Sequence, residues 1–233
     1  MVDPRFIAVR QVLFDMDGLL LDTESIYTEI TQKIVSRFGK VFDWSIKGNM
    51  IGRAAHESSQ YLVEALDLPI SAEEYLEERD VLLHEAFPRA RALPGARELV
   101  THLKRHGVPI AVASSSSRAL FERKTLRHGD WFELFDTVIT GDHPAVRHAK
   151  PAPDIFLAAA ARLGGRADES LVFEDAPSGL AAGISAGMQV VAVPDPNMDP
   201  ARYEGAVEIL DSLAAFDPAR YGLPAFTDDR VRG

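Results

Sequence analysis

Two carboxylates stand one residue apart in Phe14-Asp15-Met16-Asp17-Gly18, directly after the apolar run Val12-Leu-Phe14. Alternate residues of a strand point the same way, so Asp15 and Asp17 can both face one substrate. The ordinary alternative is a plain turn, since turns favour Asp and Gly. A calcium loop fails on spacing: its fifth position falls on Leu19 and its twelfth on Ile26, neither of them an acid. Three more sets follow other apolar runs. Ser114 ends Ala111-Val-Ala-Ser114 and leads into Ser115, Ser116 and Ser117 ahead of a helical stretch. Hydroxyls and free N–H groups at a helix start bind anions, although such serines also serve as caps. Lys150 lies just before a helix opened by Pro153, where a lone lysine is otherwise a solvated charge. Glu174 and Asp175 end Leu171-Val-Phe173; adjacent acids suit a hard cation such as Mg²⁺, with an N-cap before Pro177 as the alternative.

The elements that must position these residues are legible as short runs apolar on both faces. They are Val12-Leu-Phe14, Ile110-Ala-Val-Ala113, Thr137-Val-Ile139, Leu171-Val-Phe173 and Val190-Val-Ala-Val193. Such runs suit strands of a parallel sheet covered on both sides. Helical patterns lie between them. Ala96, Leu99, Val100 and Leu103 precede Gly107; Ile155, Phe156, Ala159, Ala160 and Leu163 precede Gly164; Pro177 and Gly187 bracket a third. This alternation predicts an α/β fold with a doubly wound parallel sheet.

Residues 22–90 break the rhythm and read as all-helical. Ile26, Tyr27, Ile30, Ile34, Val35 and Phe38 make one amphipathic helix, and residues 54–66 a second. A third starts at Ser71, whose spacing to Glu74 is that of a capping box. The expected division is a core of 1–21 and 91–233 with a helical cap of 22–90. The cap would sit over the crevice at the strands' carboxyl ends. It is expected to swing, with hinges near 19–23 and 88–94.

Composition narrows the partners. With 46% hydrophobic and 26% charged residues, the 233-residue chain matches a globular protein with a sizeable core. A net charge of −10 repels nucleic acid and anionic lipid, so neither is expected as a partner, and an anionic substrate needs a local site. The absence of cysteine excludes disulfides, thiolate metal sites and a Cys nucleophile, and fits a reducing compartment. The first residues lack the apolar core of a signal peptide. The uncharged stretch Ala176 to Pro194 is interrupted by Pro177, Gly179, Gly183, Gly187 and Gln189, and reads as a small-residue helix and a strand. A soluble, cytoplasmic protein is expected.

Taken together, Asp15-Met-Asp17, Ser114, Lys150 and Glu174-Asp175 resemble the four motifs of the haloacid dehalogenase-like phosphohydrolases, over nearly the whole chain. Residues 12–24, 141–156 and 171–195 look most like the branch of pseudouridine 5′-phosphatases and related sugar-phosphate phosphatases. The resemblance implies that Asp15 attacks phosphorus to form an aspartyl-phosphate. Asp17 would protonate the leaving alkoxide and later deprotonate water. It implies that Ser114, the following amides with Ser115 and Ser116, and Lys150 hold the phosphoryl oxygens. Mg²⁺ would be held by the Asp15 and Asp175 carboxylates and the Asp17 carbonyl, with Glu174 acting through water. Four carboxylates and a phosphate dianion then face one ammonium, Lys150, so Asp17 is expected to be protonated when a small phosphate ester binds.

Three alternatives are weaker. Dehalogenation leaves Asp17 and Glu174-Asp175 unexplained. A β-phosphoglucomutase-type phosphomutase would place Arg at Ala55, in Gly52-Arg-Ala-Ala55, and a histidine near Tyr27. A phosphate- or metal-sensing scaffold would not need the full set. Specificity is expected in the cap, where Arg53 is a candidate substrate contact and His56, Glu57, Tyr27, Phe42 and Trp44 are available. The aromatics also suit the cap's own core, and Arg53 a solvated charge.

Overall fold

The computed structural model describes residues 6–51 and 55–226. Six parallel strands form one sheet in the order β3-β2-β1-β4-β5-β6. They are β1 (Gln11–Phe14), β2 (Ile110–Ser114), β3 (Thr137–Thr140), β4 (Ser170–Glu174), β5 (Gln189–Ala192) and the two-residue β6 (Glu208–Ile209). The first five are the expected runs; β6 is too short and too exposed to show an apolar pattern. Val12 lies opposite Ile110 on one side and Leu171 on the other. Strand residues then sort by alternation. Val12, Phe14, Val112, Phe173 and Val191 join one apolar cluster, while Leu13, Ala111, Ala113, Val172 and Val190 join a second. Phe14 stacks on Phe173 at 5.1 Å in the first.

The second cluster includes residues of α8 (Asp154–Leu163) and α9 (Pro177–Ser185). A Cβ on Gly183 would meet Val190 at 2.6 Å, so only glycine lets α9 lie this close to β5. The first cluster is covered by α5 (Ala96–Arg105) and the short α7 (Gly129–Phe132). Between β2 and α7 runs α6 (Arg118–Thr125), the helical stretch expected after Ser117.

Between β1 and α5 the described residues carry four α-helices, α1 (Glu24–Ser36), α2 (Trp44–Met50), α3 (Ala55–Leu66) and α4 (Ala72–Ala86). The Ser71–Glu74 capping box forms, and the buried Tyr75 hydroxyl meets Thr31 Oγ1 at 2.8 Å. The extra helix, α2, is capped by Asp43, which accepts from Ser45 N–H. Both linkers of this insertion run side by side. Asp22 N–H donates to Arg91 O at 2.8 Å, Leu93 N–H to Leu20 O at 2.9 Å, and Leu21 bridges to Ala92. Leu19, Leu20 and Leu21 are buried, and the Met16 carbonyl accepts from Leu20 and Leu21 at 3.0 Å. Within the expected hinge near 19–23, residues 19–22 are thus packed or hydrogen bonded to the neighbouring linker. Among the described residues no helix is long and apolar enough to cross a membrane.

Candidate active site

The strand order reverses between β1 and β4, and ligands of open parallel sheets bind in the crevice beyond such a point. Asp15 follows β1 there, its N–H bonded to Phe173 O at 3.0 Å. Its buried carboxylate accepts from Lys150 Nζ at 2.5 Å. The same ammonium reaches Glu174 Oε1 at 2.6 Å and Ala113 O at 3.1 Å. Glu174 Oε2 accepts from Asp175 N–H at 3.1 Å and Ala176 N–H at 3.3 Å. A Cβ at residue 179 would fall 1.8 Å from Glu174 Oε1, so α9 must offer glycine to this carboxylate. Gly18, at φ +77°, serves Asp175 in the same way: a Cβ there would lie 2.3 Å from Oδ2. Tyr203 donates its hydroxyl proton to the Asp175 carbonyl at 2.5 Å.

Carboxylate oxygens of Asp15, Glu174 and Asp175 all lie within 4.8 Å of one another. Burial pushes Asp15 from its ordinary 3.8 up to about 7; Lys150 opposes the rise, and Glu174 and Asp17 add to it. Burial, Asp15 and Glu174 likewise push Asp175 well above the usual carboxylate range. Burial acts to lower Lys150, but Asp15 and Glu174 outweigh it and hold the ammonium charged. Three crowded acids sharing one ammonium are hard oxygen donors with uncompensated negative charge, a set that fits Mg²⁺.

Asp17 has a different environment. It lies past the end of β1 and forms an isolated bridge with Leu21. Asp17 Oδ1 accepts from Lys124 Nζ at 2.6 Å and Thr23 Oγ1 at 2.8 Å. Its Oδ2 accepts from Ser116 Oγ at 3.0 Å and Ser114 Oγ at 3.3 Å. Burial favours a proton on Asp17, but Lys124, Thr23 and Ser116 outweigh it and hold the carboxyl below its ordinary value. The expectation of a proton on Asp17 concerns the site with a phosphate ester bound, and it left a second ammonium, Lys124, out of the reckoning.

That ammonium is the residue missed from sequence. Lys124, in the charge-rich α6, is 1% exposed. The available signal was helical spacing: Phe121, Lys124 and Thr125 occupy one buried face, which places a lysine where an apolar side chain belongs. Ser114 is buried, with its Oγ accepting from Ser116 N–H at 3.1 Å. Ser116 thus joins the site, whereas Ser115 is exposed and turns its carbonyl toward Gly141. Arg53 lies outside the described residues. His56 is exposed and paired with Glu73 at 2.7 Å, and the buried Phe42 belongs to the apolar core. A cleft of about 560 Å³ is lined by Asp22, Glu24, Thr28, Trp44 and Lys47 of the insertion and by Asp195 of the sheet's loops. The cleft is lined by none of the site groups themselves and adjoins them through Glu24, which lies with Asp175 around Gly18; a second cavity, about 340 Å³, adjoins Gly107–Pro109 at the opposite end of the strands.

Fold and site define a Rossmann-like α/β enzyme whose reactive groups gather at a strand-order reversal beneath a helical insertion. A family model described as haloacid dehalogenase-like hydrolase matches residues 9–187, and the chain belongs to that family of hydrolases. It is 46% identical to "(DL)-glycerol-3-phosphatase 2" of Arabidopsis thaliana, over 95% of this chain and 94% of that protein. It is 43% identical to a Drosophila melanogaster protein named "Probable pseudouridine-5'-phosphatase", over 94% and 96% respectively. A crystal structure of a HAD family hydrolase from Deinococcus radiodurans R1, with bound phosphate and sodium, superposes with a TM-score of 0.79 at 28% identity, covering 96% of this chain and 100% of that one.

Proposed function

We propose that the protein is a divalent-metal-dependent phosphatase of small phosphate monoesters, acting through an aspartyl-phosphate on Asp15. The observation that carries this reading is the unequal treatment of the two acids, Asp15 beside Lys150 and two further carboxylates, Asp17 among hydroxyls and Lys124. Mg²⁺, held by the Asp15 and Asp175 carboxylates and the Asp17 carbonyl with Glu174 through water, would supply positive charge against the phosphoryl oxygens. Asp15 Oδ forms a bond to phosphorus as the bond to the leaving oxygen breaks, and Asp17, which takes up a proton as the phosphate dianion binds, passes it to that oxygen. Water then attacks phosphorus and gives its proton to Asp17. The ionised Asp17 of this structure is the form ready for that second step. Ser114, the amides near Ser115 and Ser116, and Lys150 hold the phosphoryl oxygens.

Residues 22–90 act in this reading as a cap domain on the core of 1–21 and 91–233, and Arg53 as one of its contacts to substrate. The cleft supports a neutral, hydroxylated leaving group such as glycerol or a pseudouridine ribosyl unit. Its acids Asp22, Glu24, Glu29, Asp43 and Asp195 face Lys47, which is already paired with Glu24 at 3.2 Å. A second phosphate would be repelled there, which also weighs against a sugar bisphosphate on a mutase path. Tyr27 and Ala55, where mutases carry other residues, point the same way. The net charge of −10 supports a small-molecule partner over nucleic acid or membrane, and the cysteine-free chain supports a cytoplasmic setting.

Phosphate release from glycerol 3-phosphate, pseudouridine 5′-phosphate, phosphoglycolate and glucose 1,6-bisphosphate tests the reading. Mg²⁺-dependent turnover of the first two, lost in excess chelator and at least tenfold above the others, is expected. Chelator-resistant activity would remove the metal from the proposal. Preference for the bisphosphate would overturn the substrate class.

A further inference from the structure

A lysine buried to 1% exposure needs a physical reason, because withdrawing an ammonium from water costs several kcal/mol unless it is paired. Lys124 Nζ meets Asp17 Oδ1 at 2.6 Å and Ser116 Oγ at 2.8 Å. It also lies 4.5 Å from the ring centre of Phe87 and 5.5 Å from that of Tyr27. Those two rings come from opposite ends of the helical insertion, whereas α6 belongs to the sheet's surround. The carboxylate of Asp17 is thereby gripped on both oxygens, Oδ1 by Lys124 and Thr23, Oδ2 by Ser116 and Ser114. One contact would leave the carboxylate free to rotate; contacts on both oxygens fix its plane.

We infer that Lys124 is a positioning residue for proton transfer, orienting the Asp17 carboxyl toward the leaving oxygen and tying that orientation to the placement of Phe87 and Tyr27. This rests on the phosphatase reading above. In the step it serves, the bond between phosphorus and the leaving oxygen breaks with its electron pair going to oxygen. The Asp17 O–H proton moves to that oxygen and leaves a carboxylate. Lys124 keeps all its protons throughout. Its contribution is placement, and small misplacements of a reacting group can cost about 100-fold in rate.

The test uses Lys124→Met, which keeps the stem and removes the charge, on glycerol 3-phosphate and 4-nitrophenyl phosphate. Aryl oxygens leave without much help from an acid. The expected result is a kcat loss of about 100-fold on the alkyl ester and under about fivefold on the aryl ester, with KM changed less than about threefold on either. Lys124→Arg should restore part of the alkyl rate. Lys124→Met placed on Asp17→Asn should add nothing further, since both act on one proton. Equal losses on both esters, or full additivity in the double variant, would overturn the inference and mark Lys124 as packing only. Should Lys124→Met not fold, Phe87→Leu makes the same comparison by removing the ring beneath Nζ, with a smaller alkyl-selective loss expected. A wild-type protein that hydrolyses neither ester refutes the phosphatase reading, and this inference with it; an active wild type with equal losses refutes this inference alone.

Discussion

The two lysine–carboxylate pairs of the crevice have the same ingredients and opposite outcomes. Lys150 serves Asp15 and Glu174 together, with Asp175 close by, so one ammonium is divided among three acids and Asp15 rises to about 7. Lys124 serves Asp17 alone, with Thr23 and Ser116 hydroxyls in support, and Asp17 is held below its ordinary value. The difference lies in the ratio of donors to acids, not in depth. A carboxylate left short of donors is a good seat for a cation and, in the proposed reaction, a nucleophile once that cation neutralises its neighbours. One saturated with donors has a fixed plane and a stable ionised form. The same residue type is thereby given two jobs two positions apart.

The comparison can be broken most drastically at Asp15. Asp15→Asn should lower kcat to below about a thousandth of wild type while the fold persists, because an amide cannot displace the leaving oxygen. Steady-state kinetics with circular dichroism checks both halves. Next comes Lys150→Met, which leaves Asp15 and Glu174 without their shared ammonium. A stability loss of about 3–5 kcal/mol is expected at pH 8 in chelator, and a smaller one at pH 5, where Asp15 takes up a proton. Urea unfolding at the two pH values measures this.

The pH dependence of stability separates the two acids by sign. Folded Asp15 keeps a proton that the unfolded chain has lost between 3.8 and about 7, so its contribution to stability falls as pH rises through that window. Asp17 does the reverse: its contribution is present above 3.8 and lost as pH falls toward its depressed folded value. In chelator, Asp15→Asn should flatten the limb above pH 4, and Asp17→Asn the limb below it. Urea midpoints across the range would show a shared limb if the contrast were false. The smallest effect sharpens the comparison by leaving both pairs alone. Ser71→Ala removes the α4 cap and should cost about 1 kcal/mol, with the ratio of alkyl to aryl turnover unchanged.

How much could be read in advance followed the range of the interactions involved. Val12–Phe14 and Leu171–Phe173 declared themselves because two-sided burial demands apolar residues at every position, and the acids after them because strand ends are local features. Ser114 was legible for the same reason, and Lys150, ten residues past β3, only through its place among the four motifs. Lys124 was not, since Arg123 and Lys124 are neighbours of the same charge with opposite fates. Arg123 is half-buried at the surface, with Nε bonded to His84 O at 2.6 Å, and Lys124 turns inward to Asp17. Only the fold brings a partner from 107 residues away in sequence to decide which of them is buried.

The paired linkers have a consequence for how such a protein can diversify. Chain leaving the sheet at Leu21 returns beside it at Ala92, held by hydrogen bonds of 2.8 and 2.9 Å on either side of the bridge. To the sheet, everything between is a loop whose ends are already closed. Loop-closure entropy grows only with the logarithm of length, about 0.6 kcal/mol per doubling. The insertion can therefore lengthen, shorten or be exchanged between relatives at almost no thermodynamic cost to the sheet, provided the junction survives. The exception is the set Thr23, Tyr27 and Phe87, which the insertion lends to Asp17 and Lys124 and which any replacement must keep.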